Sequence, residues 1–335
     1  MTKQDQTPVL VSLVTYNDEP FLARCLESVR KQTVPVRVKV FDNASEDRTR
    51  EIARRFEVDL YESPANKGYS HGHNQNLRGE DFQAALLLNA DVTLESDWLE
   101  LLVAALNEVE GAGMAGGKLY RMDQNGKQVF RREAPVLDSS GIFFTPSQRH
   151  FDRGSEEEDH GQYDRRHLVF GITGAALLCS QEMLEDLRLD QEYLDEDFFA
   201  YREDADLAWR AQLKGWKAVY EPQARAYHCR QVLPSRRRQL SARINYHSLK
   251  NRYLMRMKNL DSTLRWHCFP YMWLRDVGIL AYVLCFEWSS LPAYREVWRL
   301  RHKFREKRRR VQSTRRVDPQ ALAHWFSFTP TALDP

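Results

Sequence analysis

Three polar constellations in this 335-residue chain could do chemistry. The first is Asn89-Ala90-Asp91, at the end of residues 85–88 (ALLL), a run that reads as backbone buried on both faces. A carboxylate at a strand tip is a hard oxygen donor of the kind Mg²⁺ and Mn²⁺ take, and such ions often bridge to substrate phosphates. The alternative is a turn aspartate capping the helix that opens near Ser96. The second is Glu203-Asp204-Ala205-Asp206. Three carboxylates within four residues repel one another, so stability alone does not put them together. One suffices to cap a helix beginning near Leu207, and the apolar Phe198-Phe199 beside them can keep another basic enough to accept a proton. The third is His228, which ends a strand-like stretch and reads as structural unless Asp91 holds a metal. His71 and His73 (SHGHN) have the spacing of a metal clip but no third ligand nearby, and read as loop residues.

These groups need rigid elements beneath them. Residues 9–16 (VLVSLVTY), 36–41 (VRVKVF), 58–61 and 85–88 read as short strands. Asp18-Glu19-Pro20, Ser45-Glu46-Asp47 and Ser96-Asp97 open the helices between them. The alternation predicts an α/β domain with a mostly parallel sheet and right-handed crossovers, its ligands beyond the carboxyl ends of the strands. The polar clusters fall at those ends: Thr15-Tyr16-Asn17, Asp42-Asn43-Ala44-Ser45, Asn66-Lys67-Gly68 and Asn89-Ala90-Asp91. Asn17 and Asp42 are equally good helix caps. G-x-x-x-x-G-K-[ST] does not occur, which weighs against a P-loop site. Residues 121–168 are polar and read as a long, mobile loop region with a solvated 156–159 acidic run. Residues 170–180 (FGITGAALLCS) read as a glycine-punctuated strand, 198–216 as helical after an acidic start, and 219–228 as a closing strand. Helical spacing sets in from Arg236.

With 42% hydrophobic and 29% charged residues, the composition is that of a soluble globular protein. The five cysteines form no C-x-x-C pair, which excludes a zinc knuckle or disulfide framework and fits a reducing compartment. The N-terminus lacks a signal-peptide pattern. The longest clean apolar run, 277–286, is shorter than the roughly 20 residues a spanning helix needs. A cytoplasmic protein is expected. Residues 230–316 carry 22 Lys/Arg against 5 Asp/Glu, although the whole chain has a net charge of only +2. Together these features predict a catalytic domain over 1–230 and a basic, aromatic-rich helical extension over 231–335. That extension either lies on an anionic membrane surface, at the inner face of the cell membrane, or packs on the acidic body. No nucleic-acid motif accompanies the charge, and no nucleic-acid partner is expected.

Six segments together resemble the family 2 nucleotide-sugar glycosyltransferases, in particular the bacterial rhamnosyltransferase-like branch. They are VSLVTYN (11–17), VFDNAS (40–45), NKGYSHGHN (66–74), LLNADV (87–92), GITGAA (171–176) and FAYREDADLAWR (199–210). The helical tail from Tyr246 is similar too. The resemblance implies a GT-A type domain and transfer with inversion from a nucleotide-diphospho-sugar, dTDP-rhamnose first, to a glycan or lipid-linked acceptor. It implies that Thr15, Asn17 and Asn43 line the nucleotide, that Asp42 accepts from the pyrimidine imide, and that Gly68 and Asn74 follow the ribose and diphosphate. It makes Asp91 the last residue of a D-x-D metal motif whose first acid is Asn89 here, with His228 completing the shell around Mg²⁺ or Mn²⁺. Asp204 becomes the catalytic base, with Gly174 and Glu203 on the acceptor side. Two other readings are a sugar nucleotidyltransferase, which would want a Gly/Arg/Lys-rich loop where this chain has TYNDEP, and an inactive sugar-binding scaffold of the same fold.

Overall fold

A computed structural model describes residues 7–230 and 241–335. The helical reading of 236–240 lies outside them. In chain order the strands are β1 (Val9–Thr15), β2 (Val36–Asp42), β3 (Asp59–Glu62), β4 (Ala84–Asn89), β5 (Val92–Leu94), β6 (Ala112–Arg121), β7 (Phe130–Arg131), β8 (Ala134–Pro135), β9 (Leu137–Ser139), β10 (Ile142–Phe144), β11 (His150–Asp152), β12 (His167–Val169), β13 (Ala176–Ser180) and β14 (Lys217–His228). The helices are α1 (Leu22–Arg30), α2 (Thr49–Ala53), α3 (Tyr69–Leu77), α4 (Trp98–Glu108), α5 (Gln181–Leu187), α6 (Glu203–Lys214), α7 (Ala242–Asn259), α8 (Ser262–Phe286) and α9 (Leu291–Ser313).

The central sheet runs β12-β14-β6-β13-β4-β1-β2-β3. Its β4-β1-β2-β3 half is parallel, and β13 inserts antiparallel between β4 and β6. Four strand ends therefore open on one edge. β4 is buried through its apolar length because helices or other strands cover both of its faces. β2 alternates instead: Arg37 and Lys39 leave the apolar face, and both pair with Glu80.

The polar 121–168 region is ordered, not a mobile loop. It holds β7 to β11 and reaches β12. Its acids find partners on the body: Lys118 of β6, almost fully buried, pairs with Asp159 at 2.9 Å and with Asp164. Asp159, expected in water, also accepts from the Tyr120 hydroxyl. The expected strand at 170–180 begins only at Ala176, because residues 171–174 leave the sheet and run beside α6.

The helices α7 to α9 share the main core. Leu254, Met255, Leu264, Cys268, Met272 and Phe304 pack in one apolar cluster with Leu10, Met114 and Phe198 of the body. Lys258 of α7 is fully buried and bridges Asp195 (2.5 Å) and Asp206 (2.8 Å). Removing one member of such a set leaves buried charge uncompensated. Lys258→Ala is therefore expected to lower unfolding stability by about 3–5 kcal/mol, read in urea denaturation. A loss under about 1 kcal/mol would mean that Lys307, which also reaches Asp195, suffices alone.

The apolar run at 277–286 understates its helix. Arg275 and Asp276 interrupt the run without breaking the turn, so α8 spans 25 residues and holds an 18-residue window of mean hydropathy 1.3, long and apolar enough to cross a membrane.

Candidate active site

A cavity of about 430 Å³ opens at the carboxyl edge of the parallel strands. Thr15, Tyr16 and Asp18 line it from the end of β1, Asn43 from β2, and Asn89, Ala90 and Asp91 from β4. Gly68 and Tyr69 contribute from the start of α3, and Phe199, Ala200 and Tyr201 from the segment before α6. Arg243, Ile244 and His247 reach in from the first turns of α7. The helical extension thus completes the cavity wall. The only trace of this in the sequence is an arginine and a histidine four residues apart on one helix face.

β4 delivers Asp91 to the cavity, where its side chain is 13% exposed. β14, paired with β5, brings His228 Nε2 to 3.3 Å from Asp91 Oδ1. On the other side of the ring, His228 Nδ1 donates to the fully buried Asp138 at 2.7 Å. Burial works against the imidazolium, but the carboxylates of Asp91 and Asp138 outweigh it and raise His228 to about 9. A carboxylate behind an imidazole is what orients a metal-ligating histidine. Asp91 and His228 are two donors side by side, and no group of three or more His, Cys, Asp or Glu among the described residues could hold a metal ion. That donor set fits a hard divalent ion that takes its remaining oxygens from a diphosphate. Asp138 sits in the supposed loop and carried no signal in the sequence.

Asp204 stands in the first turn of α6, behind the cavity wall. Its Oδ2 accepts from Gly174 N–H at 2.9 Å and its Oδ1 from Ala205 N–H at 2.7 Å. The Tyr69 hydroxyl donates to the Gly174 carbonyl at 2.7 Å, so a cavity-lining ring touches the loop that holds this acid. Burial and the nearby Asp152 raise Asp204 above the usual carboxylate range, against the pull of Arg230. Its neighbours take other roles. Glu203, expected on the acceptor side, is buried away from the cavity with Oε2 unpartnered, and burial followed by Asp204 pushes it up to about 8. Asp206 is fully buried against Arg210, Lys258 and Asn259. The helix begins at Glu203, four residues earlier than the capping reading supposed.

The segment before α6 is strained. Phe199, Tyr201 and Arg202 all have positive φ, at 66°, 71° and 75°. Such backbone persists only where the surroundings over-determine it. Here buried Asn251 of α7 donates to the carbonyls of Phe198, Ala200 and Tyr201.

Gly68 meets the same segment. Its φ is +94°, and a Cβ there would lie 2.4 Å from the Phe199 carbonyl oxygen. Gly68→Ala must push residues 199–201 away, at a cost of about 1–3 kcal/mol. A lower melting temperature together with weaker nucleotide binding is the expected result, and an unchanged titration would show that the cavity tolerates the shift.

Of the residues assigned from sequence, Thr15, Asn43, Gly68, Asn89 and Asp91 line the cavity, His228 touches Asp91, and Gly174 holds Asp204. Three others lie elsewhere. Asp42 has no exposed side-chain surface: Arg50 Nε donates to it at 2.6 Å, with Ser45 N–H and the Thr15 hydroxyl. Asn17 pins a turn, its Oδ1 accepting from Glu46 N–H. Asn74 is buried and clamps the backbone of Tyr193 and Leu194. His71 and His73 lie on α3. His71 pairs with Glu196, while His73 meets Ser12 at 2.7 Å and burial lowers it to about 3. Asp18, read from sequence as a helix opener, instead lines the cavity, and burial followed by Asp91 pushes it up to about 7 against the Tyr16 N–H.

A mixed sheet in this order, with polar residues gathered at the carboxyl edge of its parallel half, defines a GT-A type nucleotide-sugar-binding domain. Solved structures of that class are similar in fold. GalNAc-T7, solved with UDP, GalNAc and Mn²⁺, matches with a TM-score of 0.59 and 15% identity over 91% of this chain and 56% of that one. S. aureus TarS 1–349 matches at 0.55 and 14%, covering 92% and 90%. The mannosyltransferase PcManGT from Pyrobaculum calidifontis, in complex with GDP-Man and Mn²⁺, matches at 0.52 and 16%, covering 96% and 88%. The family model for glycosyl transferase family 2 matches residues 11–186, and the chain belongs to that family. It is 29% identical over 130 residues to the glycosyltransferase GlyA of Streptococcus pneumoniae serotype 4, and 28% over 132 residues to the glycosyltransferase AglE of Haloferax volcanii. Each match covers 37% of this chain, and they span 18% and 43% of those relatives.

Proposed function

We propose that this glycosyltransferase moves a sugar, with inversion, from a nucleotide-diphospho-sugar to a hydroxyl of a glycan or lipid-linked acceptor in cell-surface polysaccharide synthesis at the cytoplasmic face of the membrane. The observation that carries the reading is Tyr69. It lines the cavity together with Asp91, and its hydroxyl donates to the carbonyl of Gly174, whose N–H is held by Asp204. One acid therefore lines a ligand-sized space and the other stands behind its wall, one residue away from the ring that lines it.

Asp204 takes the acceptor proton as the acceptor oxygen bonds to the anomeric carbon and the bond from that carbon to the diphosphate oxygen breaks. Each Asp204 oxygen accepts one backbone N–H and retains a lone pair for this. Asp91 and His228 would hold Mg²⁺ or Mn²⁺. When bound, the ion neutralises charge on the departing nucleoside diphosphate. Arg243, stacked 4.7 Å over Phe199, adds a fixed positive charge at the cavity. The resemblance to the rhamnosyltransferase-like branch puts dTDP-rhamnose first among the donors. A thermal-shift screen of dTDP-, UDP- and GDP-sugars with either ion, followed by donor hydrolysis and the anomeric configuration of the product, tests the proposal. Binding without hydrolysis or transfer would favour the inactive scaffold.

A further inference from the structure

We infer that the outer face of α8 is a membrane-docking surface whose occupant is an anionic phospholipid bilayer, with the helix lying in the plane of the interface. Trp266, Trp273, Val277, Leu280 and Leu284 recur at helical spacing and are all exposed, Trp266 at 73%. The opposite face, with Leu264, Cys268, Met272 and Val283, is buried. An apolar helix apolar on both faces, with only one of them packed, has an unpartnered side.

Length and composition would allow α8 to span a bilayer. Its inner face argues for lying flat: Asp276 accepts from Arg256 at 2.9 Å and Arg252 at 3.2 Å, both on α7, and a spanning helix would have to break these pairs. Aromatic and aliphatic groups on one side of a surface helix, bordered by cations, suit the headgroup boundary. The cations are present but not where the charge count suggested. Lys303, Lys307 and Arg310 of α9 are engaged by Asp197, Asp195 and Asp190 of the body. Arg265, Arg295, Arg305 and Arg309 are exposed and make no ion pair among the described residues.

The surface also connects to the cavity. At the α8–α9 elbow, Phe286 and Trp288 border a hollow shared with Ala242 and Asn245 of α7. The adjacent Arg243, Ile244 and His247 line the catalytic cavity. A bilayer under α8 would therefore meet the end of the molecule where α7 carries both the hollow and the cavity wall, and present a lipid-linked acceptor there; this last step rests on the proposed transferase activity.

Cys285 is the one exposed cysteine of five and sits on α8, so it can carry an environment-sensitive fluorophore. With vesicles of phosphatidylcholine and phosphatidylglycerol the labelled protein is expected to float and its emission to shift to the blue, with a much smaller response to phosphatidylcholine alone. Leu274→Glu and Leu284→Glu, both at exposed positions, are each expected to weaken partition at least about tenfold and to leave donor hydrolysis in solution unchanged. Absence of flotation at low salt, or wild-type partition in both variants, would overturn the inference. So would light scattering that shows a lipid-free dimer dissociated by Leu284→Glu. Flotation without any donor hydrolysis would sink the transferase reading while leaving the docking surface standing.

Discussion

Asp204→Asn is expected to lower transfer about 10³-fold while donor affinity stays within about twofold. The substitution is isosteric and keeps an oxygen for Gly174 N–H, which holds the wall of the cavity, while its amide replaces the oxygen that accepted from Ala205 N–H. What it removes is the group able to accept a proton from the acceptor hydroxyl. The folded state holds this acid above its ordinary value, so the rate should fall as pH drops through a point higher than a free aspartate would set. That limb should vanish in the variant. Stability moves the other way. A carboxyl with a raised folded pKa loses stabilisation as pH rises from its unfolded value to its folded one, so the ionised form costs stability at neutral pH. Relief of that cost in Asp204→Asn is offset by the acceptor lost to Ala205 N–H, so its melting temperature at pH 7 should stay within a few degrees of the wild type, roughly the worth of one hydrogen bond. Full activity in this variant would remove Asp204 from the mechanism, and a collapsed melting temperature would make it a structural residue.

Asp91→Ala should produce the second large effect, on binding. With Asp91 gone, His228 alone is left of the two donors, and the part of donor affinity that depends on Mg²⁺ or Mn²⁺ should fall at least about 100-fold. Calorimetric titration of the nucleoside diphosphate with and without the ion separates this from general damage, since the metal-free affinity should change little. Asp138→Asn, which loosens the orientation of His228 and also removes the charge facing Arg230 and Arg121, should lose about 10- to 100-fold on the same readout. Wild-type dependence on the ion in Asp91→Ala would end the assignment.

Part of this site was legible before any fold was known. Strands with β-branched and leucine-rich runs, followed by polar residues and helix openers, place Thr15, Asn43, Gly68 and Asn89-Ala90-Asp91 at neighbouring tips. The parallel register then brings those tips to one edge. Other assigned side chains are engaged within the protein, because residue type does not reveal which partner reaches a side chain first. Asp42 looks available until Arg50, eight residues on, takes it. Asn74 lies on α3 with its amide turned towards Tyr193 and Leu194. The 121–168 region looked mobile because its polarity was counted as hydration, whereas Lys118, Asp138 and Asp159 are paired inside.

The amino-acid sequence by itself determined the strand–helix alternation of the first hundred residues, the α/β class and the strand that lifts Asp91 to its tip. Those follow from local periodicity, and a period of 2 or 3.6 is set within a few residues. Only the tertiary structure decided which polar groups face a ligand. Asp91 meets His228, Tyr69 meets Gly174, and Asn251 secures the strained turn before Asp204, each across a large stretch of chain. A buried polar atom must find a partner wherever the packed fold brings one, and that choice is made by the whole molecule rather than by the residues beside it.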